Sequence, residues 1–396
     1  MPLPLDGLRI LTIEKFGAGP YGAMFLADMG AEVIKIENPA VGGDFSRSTG
    51  PFFLGDYDSL FYQCFSLNKR SLTLDLKCED GQKILHDLVR SSDAIVNNMR
   101  GNLPAKLGLD YPSLKAINAN IVCGHISAYG RDNSRADWPG YDYLMQSEAG
   151  FLSVTGEPEG PPTRFGLSMV DFITGTMLVF AVTSAILSVK QGNPGRDVDV
   201  SLFDAALHQL TYPGMWYLNE GHVTGRITRG AHPSVTPSQL LKSQDGWIFV
   251  MCQNPKFWDL MLEGIGRQDL AEDARFVDLE ARLAHRDELT VILDNIFETK
   301  TTKEWIEIYK GKIPVAPVHD MPQALDNPFV EEVSMINTVP HPDRPDMRAL
   351  ANPIRLDGER LEAKYAPKLG QDTEDILSEL GYDAAKIEAL SKEGVV

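Results

Sequence analysis

The chain has 396 residues, 43% of them hydrophobic, which is enough for a large buried core and for two domains in preference to one. A formal net charge of −18 argues against nucleic acid as a principal partner, because phosphate backbones bind net basic surfaces. Asp6, Arg9, Glu14 and Lys15 come early, so no secretory leader is expected, and Cys64, Cys78, Cys123 and Cys252 show neither C-x-x-C pairing nor metal-ligand spacing with histidine. These features predict a cytoplasmic protein with reduced thiols and no metal site.

Residues 8–13 (LRILTI) read as a short buried strand, 19–29 as a helix opened by Gly19-Pro20, and 32–36 (EVIKI) as a second strand. The alternation continues with a strand at 71–75, a helix at 79–91, a strand at 93–97 and a strand at 119–126. Strands alternating with helices predict an α/β fold with a parallel, doubly wound, Rossmann-like sheet. Further on, 142–156 and 171–190 read as helices, 197–200 as a strand, and 201–220 as one long helix closed by Gly221. That completes the N-terminal part, 1–221, of a large domain. From 222 the rhythm changes to a Gly-, Pro-, Ser- and Thr-rich stretch, a strand signal at 246–252, and helices at 254–265, 285–298 and 302–310. Residues 222–325 are therefore expected to form a smaller α+β domain. Residues 326–396 are expected to carry linkers and a return to the large domain, with closing helices at 372–380 and 383–393.

One charge is out of place. Asp171 is the single charged residue in the run 165–189, FGLSMVDFITGTMLVFAVTSAILSV. A lone carboxylate in an apolar setting is costly to bury, so it carries a partner, a shifted pKa or a chemical task. The run is long enough to span a bilayer by hydropathy alone, but Asp171, Gly166 and Gly175 interrupt it and no membrane partner is expected. The structural alternative is a first-turn Asp, where the helix dipole favours negative charge by about 0.3–1 kcal/mol.

Gly17 to Gly22 spell G-x-G-x-x-G between a strand and a helix, and Glu37 ends the next strand where a ribose-binding acid would sit. That pattern makes an NAD-dependent dehydrogenase an alternative reading. Against it, Pro20 removes an N–H from the turn, and no paired His and carboxylate is evident for hydride chemistry. Glycines that let strand and helix pack closely are the preferred explanation. Neither a P-loop nor a G-x-S-x-G elbow is present. Between Ser66 and Lys106, seven Lys or Arg face five Asp or Glu, so Lys69, Arg70, Lys77, Arg100 and Lys106 are candidates to hold a phosphorylated ligand.

Six segments, AGPYGAMFLADMGAEVIKIENP (18–39), GGDFSR (42–47), NKRSLTLDLK (68–77), the Asp171 run, GRDVDVSLFDAAL (195–207) and PKLGQDTEDILSELG (367–381), together resemble the class III CoA-transferases. That family contains formyl-CoA transferase, crotonobetaine and succinyl-CoA-dependent enzymes, and α-methylacyl-CoA racemase. The resemblance implies ring-shaped subunits in an interlocked homodimer, CoA thioesters as substrates and no prosthetic group. It also implies that Asp171 is a nucleophile. The carboxylate would attack the thioester to give a mixed anhydride and CoA thiolate, and returning thiolate would give an aspartyl-CoA thioester for the acceptor acid to attack. Tyr141, in GYDY, stands where the racemases carry His, which favours transferase over acyl-CoA racemase or epimerase. His125 reads as a packed strand residue.

By the same resemblance Gly17 and Ala18 flank the pantetheine, Leu74 and Lys77 form a Leu-x-x-Lys element, Asn98, Met99 and Arg100 form a contact loop, and Tyr141 lies near the thioester. Lys106 stands where formyl-CoA transferase has a phosphate-binding Arg, and Asn38 stands where it has another Arg. No glycine-run loop precedes Gly246, which argues against formyl or oxalyl specificity. In its place RITRGAHPSVTPSQ (226–239) offers Arg226, Arg229 and His232, expected to hold the distal carboxylate of a dicarboxylic acyl group such as succinyl.

Overall fold

A computed structural model describes residues 2–396. The chain divides into two compact units, one made of residues up to Ala149, Gly166–Gln209 and Phe329–Val396, the other of Gly150–Phe165 and Leu210–Pro328.

The first unit is built on six strands: β1 (Arg9–Ile13), β2 (Glu32–Glu37), β3 (Arg70–Thr73), β4 (Ala94–Asn97), β5 (Val122–Ser127) and β6 (Arg196–Ser201). They run parallel in the order β3-β2-β1-β4-β5-β6. Apolar strands such as RILTI and AIVN are buried along nearly their whole length, as a sheet covered on both faces requires. One cover is α1 (Ala18–Asp28), and another is α2 (Glu79–Arg90), whose Ile84, Leu85, Leu88 and Val89 form one apolar stripe. That stripe packs on Leu11, Ile34, Leu72 and Ile95 of the sheet, and Ile376, Leu377, Ile387 and Leu390 of the closing helices complete the same core. The strand order reverses between β1 and β4. In open α/β sheets the crevice beyond the carboxyl ends at such a point is where ligands bind.

Two expected helices are each broken in two. The stretch 142–156 divides into α3 (Asp142–Glu148) and a turn at Phe151–Val154, because Gly150 takes φ 90° and ends the first helix. The stretch 201–220 divides at Gln209–Leu210 into α5 (Leu202–His208) and α6 (Thr211–Glu220), between α4 (Met169–Lys190) earlier in the chain and Gly221, which caps α6 in the left-handed region. The second unit accordingly begins at 210, not at 222, runs to 328 instead of 325, and includes 150–165. Its sheet is antiparallel, with Trp247–Met251 between Ser238–Lys242 and Val315–Pro317. Trp258, Phe276, Phe297, Trp305 and Tyr309 form its core.

Candidate active site

The site begins with two helices brought into backbone contact. A Cβ on Gly22 of α1 would lie 2.6 Å from the Gly175 carbonyl oxygen of α4, and a Cβ on Gly175 would run into the Ala18 carbonyl oxygen. A Cβ on Gly17 would lie 2.5 Å from Asp171 Oδ2, and one on Gly19 would lie 3.0 Å from Asn98 Cγ. The G-x-G-x-x-G is therefore a packing device that lets α4 carry Asp171 onto the turn after β1.

That turn is held from below by buried charge. The Asn98 side chain clasps Lys15, accepting from its N–H at 2.8 Å and donating to its carbonyl at 2.6 Å. The Phe16 N–H donates to Asp44, and Lys35 Nζ donates to Asp44 and to the Glu14 carbonyl, each at 2.9 Å. Lys69 Nζ reaches Glu14 Oε1 at 2.6 Å and the Pro20 carbonyl at 2.9 Å. Burial alone would depress the Lys35 pKa, but Asp44, Glu14 and Glu37 outweigh it and hold it above the ordinary lysine value. Glu37 is gripped by Arg47 at 2.8 and 2.7 Å. Burial raises its pKa, and Arg47 and Lys35 more than reverse this.

Asp171 lies in the first turn of α4 and lines a cavity of about 500 Å³ together with Lys15–Ala18, Asn98–Arg100, Ile126–Ala128 and Trp138–Tyr141. Those segments follow or end β1, β4 and β5, so the cavity sits at the carboxyl ends of the strands beside the switch point. Among the described residues no hydrogen bond is made to the Asp171 carboxylate. Its pKa is pushed up to about 7, first by burial and second by the charge of Asp142. Asp142 is 3% exposed. Its Oδ2 accepts from the Asp171 backbone N–H at 3.0 Å and its Oδ1 from Gln146 Nε2 at 2.6 Å. Sequence reasoning passed over Asp142, although it lies within GYDY beside Tyr141.

Of the residues expected to contact CoA, Gly17, Ala18, Asn98, Met99, Arg100 and Tyr141 gather in this one cavity with Asp171. Asn38, Leu74, Lys77 and Lys106 do not line it. Asn38 and Leu74 directly follow β2 and β3 on the same carboxyl edge, Asn38 donating to Asp75 at 3.1 Å, while Lys77 and Lys106 are exposed. The Leu74 side chain belongs to the core and is no surface contact. Lys69 and Arg70 are not free for a phosphorylated ligand: Lys69 is buried against Glu14, and Arg70 pairs with Glu32 and Glu379. Glu37 cannot serve as a ribose acid while Arg47 holds it. His125 is a packed residue, bonded to Asn97 and Asp197.

Arg226, Arg229 and His232 belong to the second unit, and each is engaged within it. Arg226 donates to the Gly160 and Pro161 carbonyls, and Arg229 pairs with Asp294 at 2.6 Å while lying over the Trp247 ring. His232 Nδ1 accepts from the Ser234 N–H at 3.1 Å. The arginines expected to hold a distal carboxylate thus already have partners in this structure: Arg229 pairs with Asp294, and Arg226 braces a loop. No group of three or more His, Cys, Asp or Glu placed to hold a metal occurs among the described residues.

A carboxylate poised over a switch-point cavity in a parallel sheet marks an α/β enzyme. The chain belongs to CoA-transferase family III, whose pattern matches residues 5–373, and the substrates of this transferase are CoA thioesters. Over 384 residues it is 30% identical to the succinate–glutarate CoA-transferase of Agrobacterium fabrum, covering 95% of this chain and 96% of the relative. It is 31% identical over 387 residues to the acetyl-CoA:oxalate CoA-transferase of Acetobacter aceti, covering 97% of each chain. A solved structure of a CaiB/BaiF family protein from Brucella suis matches with a TM-score of 0.83 at 30% identity, covering 96% of this chain and all of that one (100%). The resemblance drawn from the six ordered segments thus holds.

Proposed function

We propose that the enzyme moves CoA from succinyl-CoA or a related dicarboxylyl-CoA to a carboxylic acid, with Asp171 as the covalent nucleophile. The observation that carries this reading is the Asp171 carboxylate, which accepts no hydrogen bond among the described residues and lines a cavity beside the turn at Gly17. Once ionised, a carboxylate needs no base to attack a thioester, and exchange between two carboxylates is near energy-neutral, so no nucleotide site is required. Dicarboxylate specificity is supported by relatives named as succinate–glutarate and succinyl-CoA:glutarate transferases. Gly17, Ala18, Met99 and Tyr141 would flank the thioester end of CoA, and Asn38, Lys77 and Lys106 the phosphate end.

The test is Asp171→Ala assayed by chromatography of CoA esters, with succinyl-CoA as donor and a panel of dicarboxylates, oxalate included, as acceptors. Transfer is expected to fall to background in the variant while the far-UV spectrum is kept. Full activity would sink the assignment.

An interlocked homodimer of ring-shaped subunits, with the second unit as an inserted domain, belongs to the same reading. Its support is α4, the one helix among the described residues long and apolar enough by composition to cross a membrane. This helix packs on α1, β5 and β6, yet Phe180 is 76% and Leu187 59% exposed. A second copy is the occupant we propose for that face, and sedimentation of a monomer would refute it. A cytoplasmic setting accords with four free cysteines, and export of the protein with a cleaved leader would refute it.

A further inference from the structure

We propose that Asp142 is a positioning residue for CoA transfer, a fixed negative charge that aims Asp171 and favours its covalent adduct over the free carboxylate. The inference rests on the reading of Asp171 as nucleophile.

The argument starts from the helix end. The first N–H groups of an α-helix have no acceptor within the helix. In α4 the N-cap Ser168 makes no side-chain capping bond, and the Asp171 N–H is instead taken by Asp142 Oδ2 at 3.0 Å. Asp142 thus caps α4 from α3, 29 residues away in sequence, and its other oxygen is fixed by Gln146 at 2.6 Å. Capping alone needs only an oxygen acceptor, and a neutral Ser or Asn would supply one. A buried carboxylate in that place puts a second negative charge beside the Asp171 carboxylate, and like charges near one another in a poorly solvated site disfavour ionisation.

The electron balance of acyl transfer gives that repulsion a use. As an Asp171 oxygen bonds to the thioester carbon, the C–S bond breaks, and the electron pair and negative charge leave on the CoA sulfur. No proton is taken up or released. The acylated Asp171 is neutral, so repulsion by Asp142 is present in the free enzyme and absent in the adduct. The aspartyl-CoA thioester, equally neutral, is favoured in the same way.

The direction of the Asp171 ionisation agrees, with burial its larger cause and the charge of Asp142 the second. Other ionisable groups lie about it. Lys15, Arg100 and Tyr141 line the cavity, and Tyr21 of α1 stacks on Phe172. On β5 and β6, His125 bonds to Asp197, and Asp197 and Asp199 pair with Arg131. On α3, Glu148 pairs with Arg135, Tyr143 follows Asp142, and α5 carries Asp204 and His208.

The test is Asp142→Asn, which keeps an oxygen for the Asp171 N–H and deletes the charge. Two readouts are compared with the wild type: the pH profile of kcat/KM, and the fraction of the Asp171 peptide carrying CoA at saturating succinyl-CoA, by mass spectrometry. The acid limb is expected to move to lower pH by about one unit, and the adduct fraction to fall several-fold. Asp142→Glu, which restores charge, is expected to return the limb toward the wild-type position. A purely structural role would lower kcat and leave both limb and adduct fraction unmoved, which overturns the proposal. If Asp142→Asn fails to fold, Asp142→Ser takes its place with the same expectations. No adduct on the wild-type Asp171 peptide would refute the nucleophile itself, and the proposal with it. An adduct in the wild type with an unmoved variant would refute Asp142 alone.

Discussion

Replacing Asp171 with Asn should make the protein more stable at alkaline pH and leave it nearly unchanged at acid pH. The folded protein holds the Asp171 proton to about pH 7, whereas an unfolded chain releases it near 3.8. The folded state therefore binds more protons between those values, and stability is lost as pH rises through that window. About three pKa units at 1.36 kcal/mol each set an upper limit of about 4 kcal/mol, fully expressed above pH 7. Asn has no proton to lose, so it escapes the penalty. The assay is urea unfolding of wild type and Asp171→Asn at pH 4 and pH 8. The variant should gain up to about 4 kcal/mol at pH 8 and little at pH 4. An equal difference at both pH values would show that burial and Asp142 do not disfavour the Asp171 charge in the fold. The same ionisation should give kcat/KM an acid limb, because only the ionised carboxylate attacks. An active site that holds a destabilised charge trades stability for reactivity.

Lys69→Met should destabilise the first unit by about 3 kcal/mol, because it removes the 2.6 Å partner of buried Glu14 and leaves it only Lys35 at 3.9 Å. Adding Glu14→Leu should recover much of that loss, and unfolding midpoints of the single and double variants check both statements. Gly22→Ala should cost about 1–3 kcal/mol, since the new methyl would meet the Gly175 carbonyl oxygen at 2.6 Å and backbone cannot yield as a side chain does. It should also lower kcat, because the displaced α4 carries Asp171. A Gly22→Ala protein with wild-type stability and kcat would show that close helix contact does not position the nucleophile.

What the sequence made legible divides along a physical line. The strands LRILTI and DAIVN and the striped helix 79–91 follow from local periodicity, and each lies within a residue or two of its expected bounds. Asp171 stood out for the same reason, as a charge contradicting its own apolar run. Residues whose meaning depends on a distant partner were misread or missed. Glu37 reads locally as a ribose acid, but Arg47 holds it, and Arg229 reads as a carboxylate binder, but Asp294, 65 residues on, already pairs with it. The strand Ser238–Lys242 carries no β-branched residue and exists because Trp247–Met251 pairs with it. Asp142 is hidden in the same way, the lone acid in GYDY, until the first turn of α4 brings it the Asp171 N–H from 29 positions later. A carboxylate's chemistry is thus set less by its own neighbours in sequence than by which unpaired donors and charges the fold brings to it. In this chain the deciding contact is the one between the start of α3 and the start of α4.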